Sequence, residues 1–138
     1  MICLDSDFIV DLLKQKKNAI LKFESLKNEV VASTEINYFE LLYGVFIKKE
    51  FSQREFNLIE EFFDSIPTMA LDHSSAYNAA KISVTLAKEG MTIDFNDELI
   101  AGICSSKNSA ILTKNIKHFS RIKGLKVDRV FCSDLKRS

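Results

Sequence analysis

Four side chains stand where chemistry could be done. Asp5 directly follows the short apolar run Ile2-Cys3-Leu4, and Asn115 follows the run Ala110-Ile111-Leu112. Asp97 falls in the opening turn of an expected helix, and Glu40 interrupts an otherwise apolar helical stripe. Carboxylates brought together repel one another and raise each other's pKa unless a cation neutralises them. Oxygen donors without His or Cys suit a hard cation, Mg²⁺ or Mn²⁺. Such a site can bind a phosphate oxygen and lower the pKa of a coordinated water. Each acid also has an ordinary use. Asp5 could cap the first helix, Asp97 could face the positive end of a helix dipole, and Glu40 could point to solvent. His118 reads as a surface or local hydrogen-bonding residue, with contact to phosphate as the alternative, and His73 as a structural one. Four scattered glycines cannot make a phosphate-cradling loop.

The elements around these residues alternate. Ile2–Leu4 reads as a buried strand, followed by a helix with Phe8, Ile9, Leu12 and Leu13 at helical spacing. A second helix carries Ala19, Ile20, Phe23 and Leu26, and Val30-Val31-Ala32 forms a second strand. Ser33 or Thr34 caps a third helix, whose stripe is Ile36, Phe39, Tyr43 and Phe46. A fourth helix turns Phe56, Ile59, Phe63 and Ile66 to one face and stops before Pro67. Met69-Ala70-Leu71 is a brief strand. Ser74 or Ser75 caps a helix with Tyr77, Ala80, Val84 and Ala87 on one face and Gly90 at its end. Asp94 or Asn96 caps a helix through Leu99, Ile100 and Ile103. Ala110–Leu112 is a strand, and Val127 with Val130-Phe131 supplies a last edge. Strands alternating with helices predict an α/β fold, its parallel sheet covered on both faces. Ligands in such sheets bind beyond the carboxyl ends of the strands, where Asp5 and Asn115 stand.

Composition narrows the function classes. The chain has 138 residues, which suits one domain over 1–138. Lys+Arg and Asp+Glu are both 19, so a nucleic-acid partner would be met by a local patch or a bound metal. No stretch free of Asp, Glu, Lys and Arg exceeds eight residues, well short of the roughly 20 apolar residues of a membrane span. The start Met1-Ile2-Cys3-Leu4-Asp5 lacks the pattern of a signal peptide. Cys3, Cys104 and Cys132 have no paired spacing, so a reduced, cytoplasmic setting is expected.

Four blocks, in order and spanning nearly the whole chain, resemble PIN-domain ribonucleases. They are Leu4-Asp5-Ser6-Asp7-Phe8-Ile9 through Leu13, the Thr34…Glu40-Leu41…Gly44 helix, Asp97-Glu98-Leu99-Ile100-Ala101-Gly102, and Leu112-Thr113-Lys114-Asn115…Phe119 followed by Gly124-Leu125-Lys126-Val127. The small size and the ending resemble the VapC toxins of toxin–antitoxin pairs. The resemblance implies a PIN-like three-layer fold, with a mostly parallel sheet of four or five strands flanked by helices. It implies an endoribonuclease using Mg²⁺ or Mn²⁺, with Asp5 and Asp97 as metal-binding acids and Glu40 as a ligand of metal-bound water or a base. Ser6 and Thr113 match supporting hydroxyls. Asn115 replaces the more usual Asp, Asp94 is an extra acid that could compensate, and Asp7 adds charge where Asn or Ser is usual. The implied partners are the RNA substrate, a cognate antitoxin and a second copy of the chain.

Phe62, Ile47 and Phe51 fall off the expected core stripes, so a homodimer is expected to form partly through the helix of residues 52–66. Two rival readings remain at this point. A receiver-like phosphoacceptor domain would use Asp5, Asp7, Asp72, Thr113 and Lys114, but leaves Glu40 and Asp97 without roles. A non-catalytic PIN-fold RNA-binding module would not need the three acids.

Overall fold

The computed structural model describes residues 1–130. Five strands form one parallel sheet in the order β3-β2-β1-β4-β5. They are β1 (Ile2–Leu4), β2 (Val31–Thr34), β3 (Thr68–Met69), β4 (Ala110–Leu112) and β5 (Val127–Asp128). The helices are α1 (Ser6–Leu13), α2 (Lys17–Ser25), α3 (Glu35–Phe46), α4 (Gln53–Asp64), α5 (His73–Lys88), α6 (Phe95–Ser106) and α7 (Ile116–Phe119).

Alternation along the central strands divides the core. Ile2 and Leu4 of β1 and Leu112 of β4 pack with Phe8, Ile9, Leu41, Val45, Ile59 and Phe63 on one side. Cys3 and Ile111 point the other way, onto Leu86, Ile100, Ile103 and Phe119. Both faces of β1 are therefore buried, as its unbroken apolar sequence requires. The result is three layers: α1–α4, the sheet, and α5–α7.

Register places the strand ends together. Leu4 pairs with Leu112, and the Asp5 amide donates to the Leu112 carbonyl at 2.9 Å. Asp5 and Thr113 thus leave two adjacent strands at the same edge. Thr34 ends β2 at that edge and caps α3 by accepting from the Asn37 amide.

Several expected details differ. On α3 the stripe that should be core is turned outward: Phe39, Tyr43 and Phe46 are more than half exposed. Asn37, Leu41 and Val45 carry the buried face instead. The same inversion occurs on α5, where Tyr77 and Val84 are exposed while Ser75, Ala79 and Leu86 are buried. α5 is capped by Asp72, which accepts from the Ser75 amide, rather than by Ser74 or Ser75. β3 lies one residue earlier than expected and excludes Leu71, which is exposed. β5 ends at Asp128, Val130 packs beyond it, and Phe131 and Cys132 lie outside the described residues. Phe62 is partly buried against the core, since it packs edge-on against Phe63 and beside Phe23. Ile47 and Phe51 are exposed as expected.

Candidate active site

Each acid reaches the strand-end crevice from a different element. Asp5 is the N-cap of α1, with its carboxylate accepting from the Ser6 amide at 2.9 Å. Capping and burial coexist here, for Asp5 is only 6% exposed. Thr113 holds one carboxylate oxygen, donating to Oδ2 at 2.7 Å. Asn37 holds the other, donating to Oδ1 at 2.9 Å. Both Asp5 oxygens are thus fixed by side chains from the segments that follow β2 and β4, the two strands flanking β1.

Glu40 lies one turn after Asn37 on α3. It is half-buried and accepts from the Ser6 hydroxyl at 2.6 Å and the Asn96 amide at 3.3 Å. Ser6 therefore bridges α1 to α3, and Asn96 bridges α6 to α3. Asp97, in the first turn of α6, accepts from Asn115 at 3.2 Å and lies 3.0 Å from His118 Nδ1. Asn115 in turn sits 2.8 Å from the same ring nitrogen. Asp7 is also drawn in, accepting from the Lys114 amide and, at 3.4 Å, from Thr113.

The electrostatics follow from this crowding. Burial, followed by the neighbouring Asp7, pushes the Asp5 carboxyl up from 3.8 to about 7, against the lowering effect of the Thr113 and Ser6 bonds. Burial also raises Asp7, Glu40 and Asp97. Asp7 and Asp97 repel Glu40, while Asp94 and Asp7 repel Asp97; bonds from Ser6 and His118 offset part of this. A cluster of acids held at raised pKa is an environment that a divalent cation would relieve.

A donor set for such an ion is present. Ligand atoms of Asp94, Asp97 and His118 all lie within 4.8 Å of one another. Asp94 occupies the N-cap of α6 without making a cap bond through its side chain. His118 brings an imidazole nitrogen to this group, beside the oxygen donors expected from the sequence. Mixed carboxylate and imidazole donors still suit Mn²⁺, and carboxylates suit Mg²⁺.

The structure brings Asp5, Glu40, Asp97, Ser6, Asp94, Thr113 and Asn115 to one edge of the sheet. Asn37, Asn96 and His118 join them; of the three, the sequence offered only His118, and that as a phosphate contact. Asn37 had a signal: it stands three residues before Glu40, on the same helix face. Asp72 is elsewhere. Its carboxylate is taken up by Ser75 and Lys107, and Lys107 follows Asp97 along α6 by about 15 Å at 1.5 Å per residue. The Asp72 that a receiver-like site requires is therefore remote from the other acids.

The comparisons agree with this architecture. A PIN domain family model matches residues 2–125. The chain is 26% identical over 125 residues to the tRNA(fMet)-specific endonuclease VapC of Shigella flexneri, covering 91% of this chain and 94% of that one. It is 30% identical over 124 residues to ribonuclease VapC1 of Haemophilus influenzae, covering 88% and 92%. Among solved structures, a chain of the VapBC2 complex of Rickettsia felis, bound to a promoter DNA fragment, superposes with a TM-score of 0.85 at 25% identity, covering 94% of this chain and 98% of that one. A parallel sheet with acids gathered at its carboxyl edge, a family match over most of the length and near-full-length VapC relatives lead to one assignment: the chain belongs to the PIN-domain family, among its VapC members.

Proposed function

We propose that this protein is a metal-dependent endoribonuclease and the toxin of a toxin–antitoxin pair. The observation that carries the reading is the convergence of Asp5, Glu40 and Asp97, from three elements, with both Asp5 oxygens held by Asn37 and Thr113. A divalent cation held by Asp5 and Asp97, with Asp94 and His118 beside them, would neutralise the acids, bind a phosphate oxygen and activate the attacking water. Asn37 and Thr113 fix the Asp5 carboxylate, and Asn115 and His118 fix that of Asp97. Glu40, aimed by Ser6 and Asn96, is the group placed to accept a proton; burial raises its pKa toward the working range of a general base.

Two partners follow. The relatives include toxins solved in VapBC complexes, and a cognate antitoxin is the corresponding partner here. A cleft of about 420 Å³ opens beside Ser6, Asp7 and Glu40, with Val10, Leu41, Val45 and Ile59 in its walls. An apolar segment seated there could bring a basic side chain to the acids. The second partner is another copy of the chain, meeting the exposed aromatic face of α3. No helix among the described residues is long and apolar enough to cross a membrane, and the proposed setting is the cytoplasm, where the RNA is.

The direct test is substitution at constant shape. Asp97→Asn and Glu40→Gln should each lower RNA cleavage at least 100-fold, within the range general acid–base groups supply, while thermal melts stay cooperative. Cleavage by Asp97→Asn at the wild-type rate would remove that residue from the site.

A further inference from the structure

A second cavity adjoins the acid cluster and has the opposite charge. It measures about 540 Å³ and is lined by Lys16 and Lys17 at the start of α2, Thr113 and Lys114 after β4, and Arg129 after β5, with Asp11 as its acidic member. Asp11 pairs with Lys16 at 3.4 Å and Lys114 at 2.8 Å. Lys17 and Arg129 have no ion-pair partner among the described residues and are exposed. One carboxylate against four cations leaves a net charge of +3 in a chain of zero net charge. The N-terminus of α2 adds to it. Its N-cap, Lys16, makes no capping bond, and the first turn carries no acid, so the positive end of the helix dipole stays uncompensated. The volume is within the range of small-ligand sites, roughly 300–1,000 Å³, and so admits a phosphate with part of its nucleoside.

Position ties this cavity to the acids. Thr113 lines it and also donates to Asp5, and Lys114 lines it while its amide donates to Asp7. An RNA strand with one phosphate at the acid cluster would carry a neighbouring phosphate past Thr113. We propose that the Lys16–Lys17–Arg129 pocket binds an RNA phosphate flanking the scissile one, with Lys17 and Arg129 as positioning residues. This rests on the ribonuclease reading. An acidic stretch of a protein partner has similar charge, but RNA is favoured because the pocket shares Thr113 with the site where the RNA would be cut.

The test uses the full chain and a fluorescein-labelled single-stranded RNA of twenty nucleotides. Binding is followed by anisotropy in EDTA, so that cleavage does not compete, across a series of salt concentrations. The Lys17→Ala/Arg129→Ala double variant should bind about tenfold more weakly, and its log–log salt slope should be shallower by about 1. With Mn²⁺, KM should rise by a similar factor while kcat stays within about twofold. Unchanged affinity and slope would overturn the proposal, as would a wild-type chain that does not bind this RNA. Weakening of a protein partner's complex by the same variant, with RNA binding unaffected, would assign the pocket to that partner and also overturn it. RNA binding that depends on Lys17 and Arg129 in a chain unable to cleave would uphold the pocket and defeat the ribonuclease reading.

Discussion

Asp5 carries the largest electrostatic cost of the site. Its pKa is 3.8 in a free carboxyl and about 7 in the folded, metal-free chain. Between those values the folded state binds more protons than the unfolded one, so this group's contribution to stability falls as pH rises from about 4 to 7. Above pH 7 the penalty is on the order of 2–4 kcal/mol. Asp5→Asn keeps an acceptor for Asn37 and removes the charge. In EDTA at pH 8 the variant should therefore melt several degrees above the wild type, and at pH 5 the gap should narrow. A lower melting temperature for Asp5→Asn at pH 8, measured by calorimetry, would show that its hydrogen bonds outweigh the burial of charge. At this scale the acids could be read in the sequence because each stands at a strand end, a helix start or within an apolar stripe. Asn37 offered only its spacing from Glu40, and His118 nothing that tied it to Asp97. An amide or imidazole has many ordinary structural uses, and only the fold brings Asn37 against Asp5 and His118 against Asp97.

Helix α6 delivers Asp97, Asp94 and Asn96, and its depth is set by a glycine. A Cβ on Gly102 would lie 2.6 Å from the Ala79 Cβ and from the Ser75 carbonyl oxygen of α5. Backbone cannot move aside as a flexible side chain can, so α5 and α6 approach only because position 102 has no side chain. Gly102→Ala should cost about 1–3 kcal/mol through overpacking, and by displacing α6 it should lower activity further than the stability loss explains. A variant that unfolds at the wild-type denaturant midpoint would contradict this packing. The strands and the helix order were legible from apolar runs and capping residues. Which face of α3 and α5 turned inward was not. α3 is apolar nearly all round, so Phe39, Tyr43 and Phe46 satisfy helical periodicity as well as Leu41 and Val45 do, and only contact with the sheet decides between them.

At the scale of the whole molecule that outward face has a consequence. Phe39, Tyr43, Phe46, Ile47 and Phe51 are all more than half exposed, with Phe46 stacked on Phe51 and Phe56. A face of this kind is the surface proposed for the second copy of the chain. The dimer surface we propose lies on the α3 face rather than on α4, because Phe62 packs against the core of its own chain. Phe46→Lys should convert a dimer to a species near 15.7 kDa by light scattering at micromolar concentration, whereas Phe62→Lys should chiefly lower stability. A dimer that survives Phe46→Lys would place the interface elsewhere. The charge arrangement also belongs to this scale. Zero net charge divides into an acid cluster and an adjoining basic pocket, which suits a backbone that must be held at one point and cut at the next.

The proposed function has the acids at the sheet edge hydrolysing RNA with the help of a divalent cation. The most direct measurement is cleavage of a defined RNA by the purified chain, with the ends of the products identified. In Mg²⁺ or Mn²⁺ the fragments should carry 5′-phosphate and 3′-hydroxyl termini, and excess EDTA should abolish cleavage. Cleavage that persists in EDTA, or products ending in 2′,3′-cyclic phosphate, would contradict it.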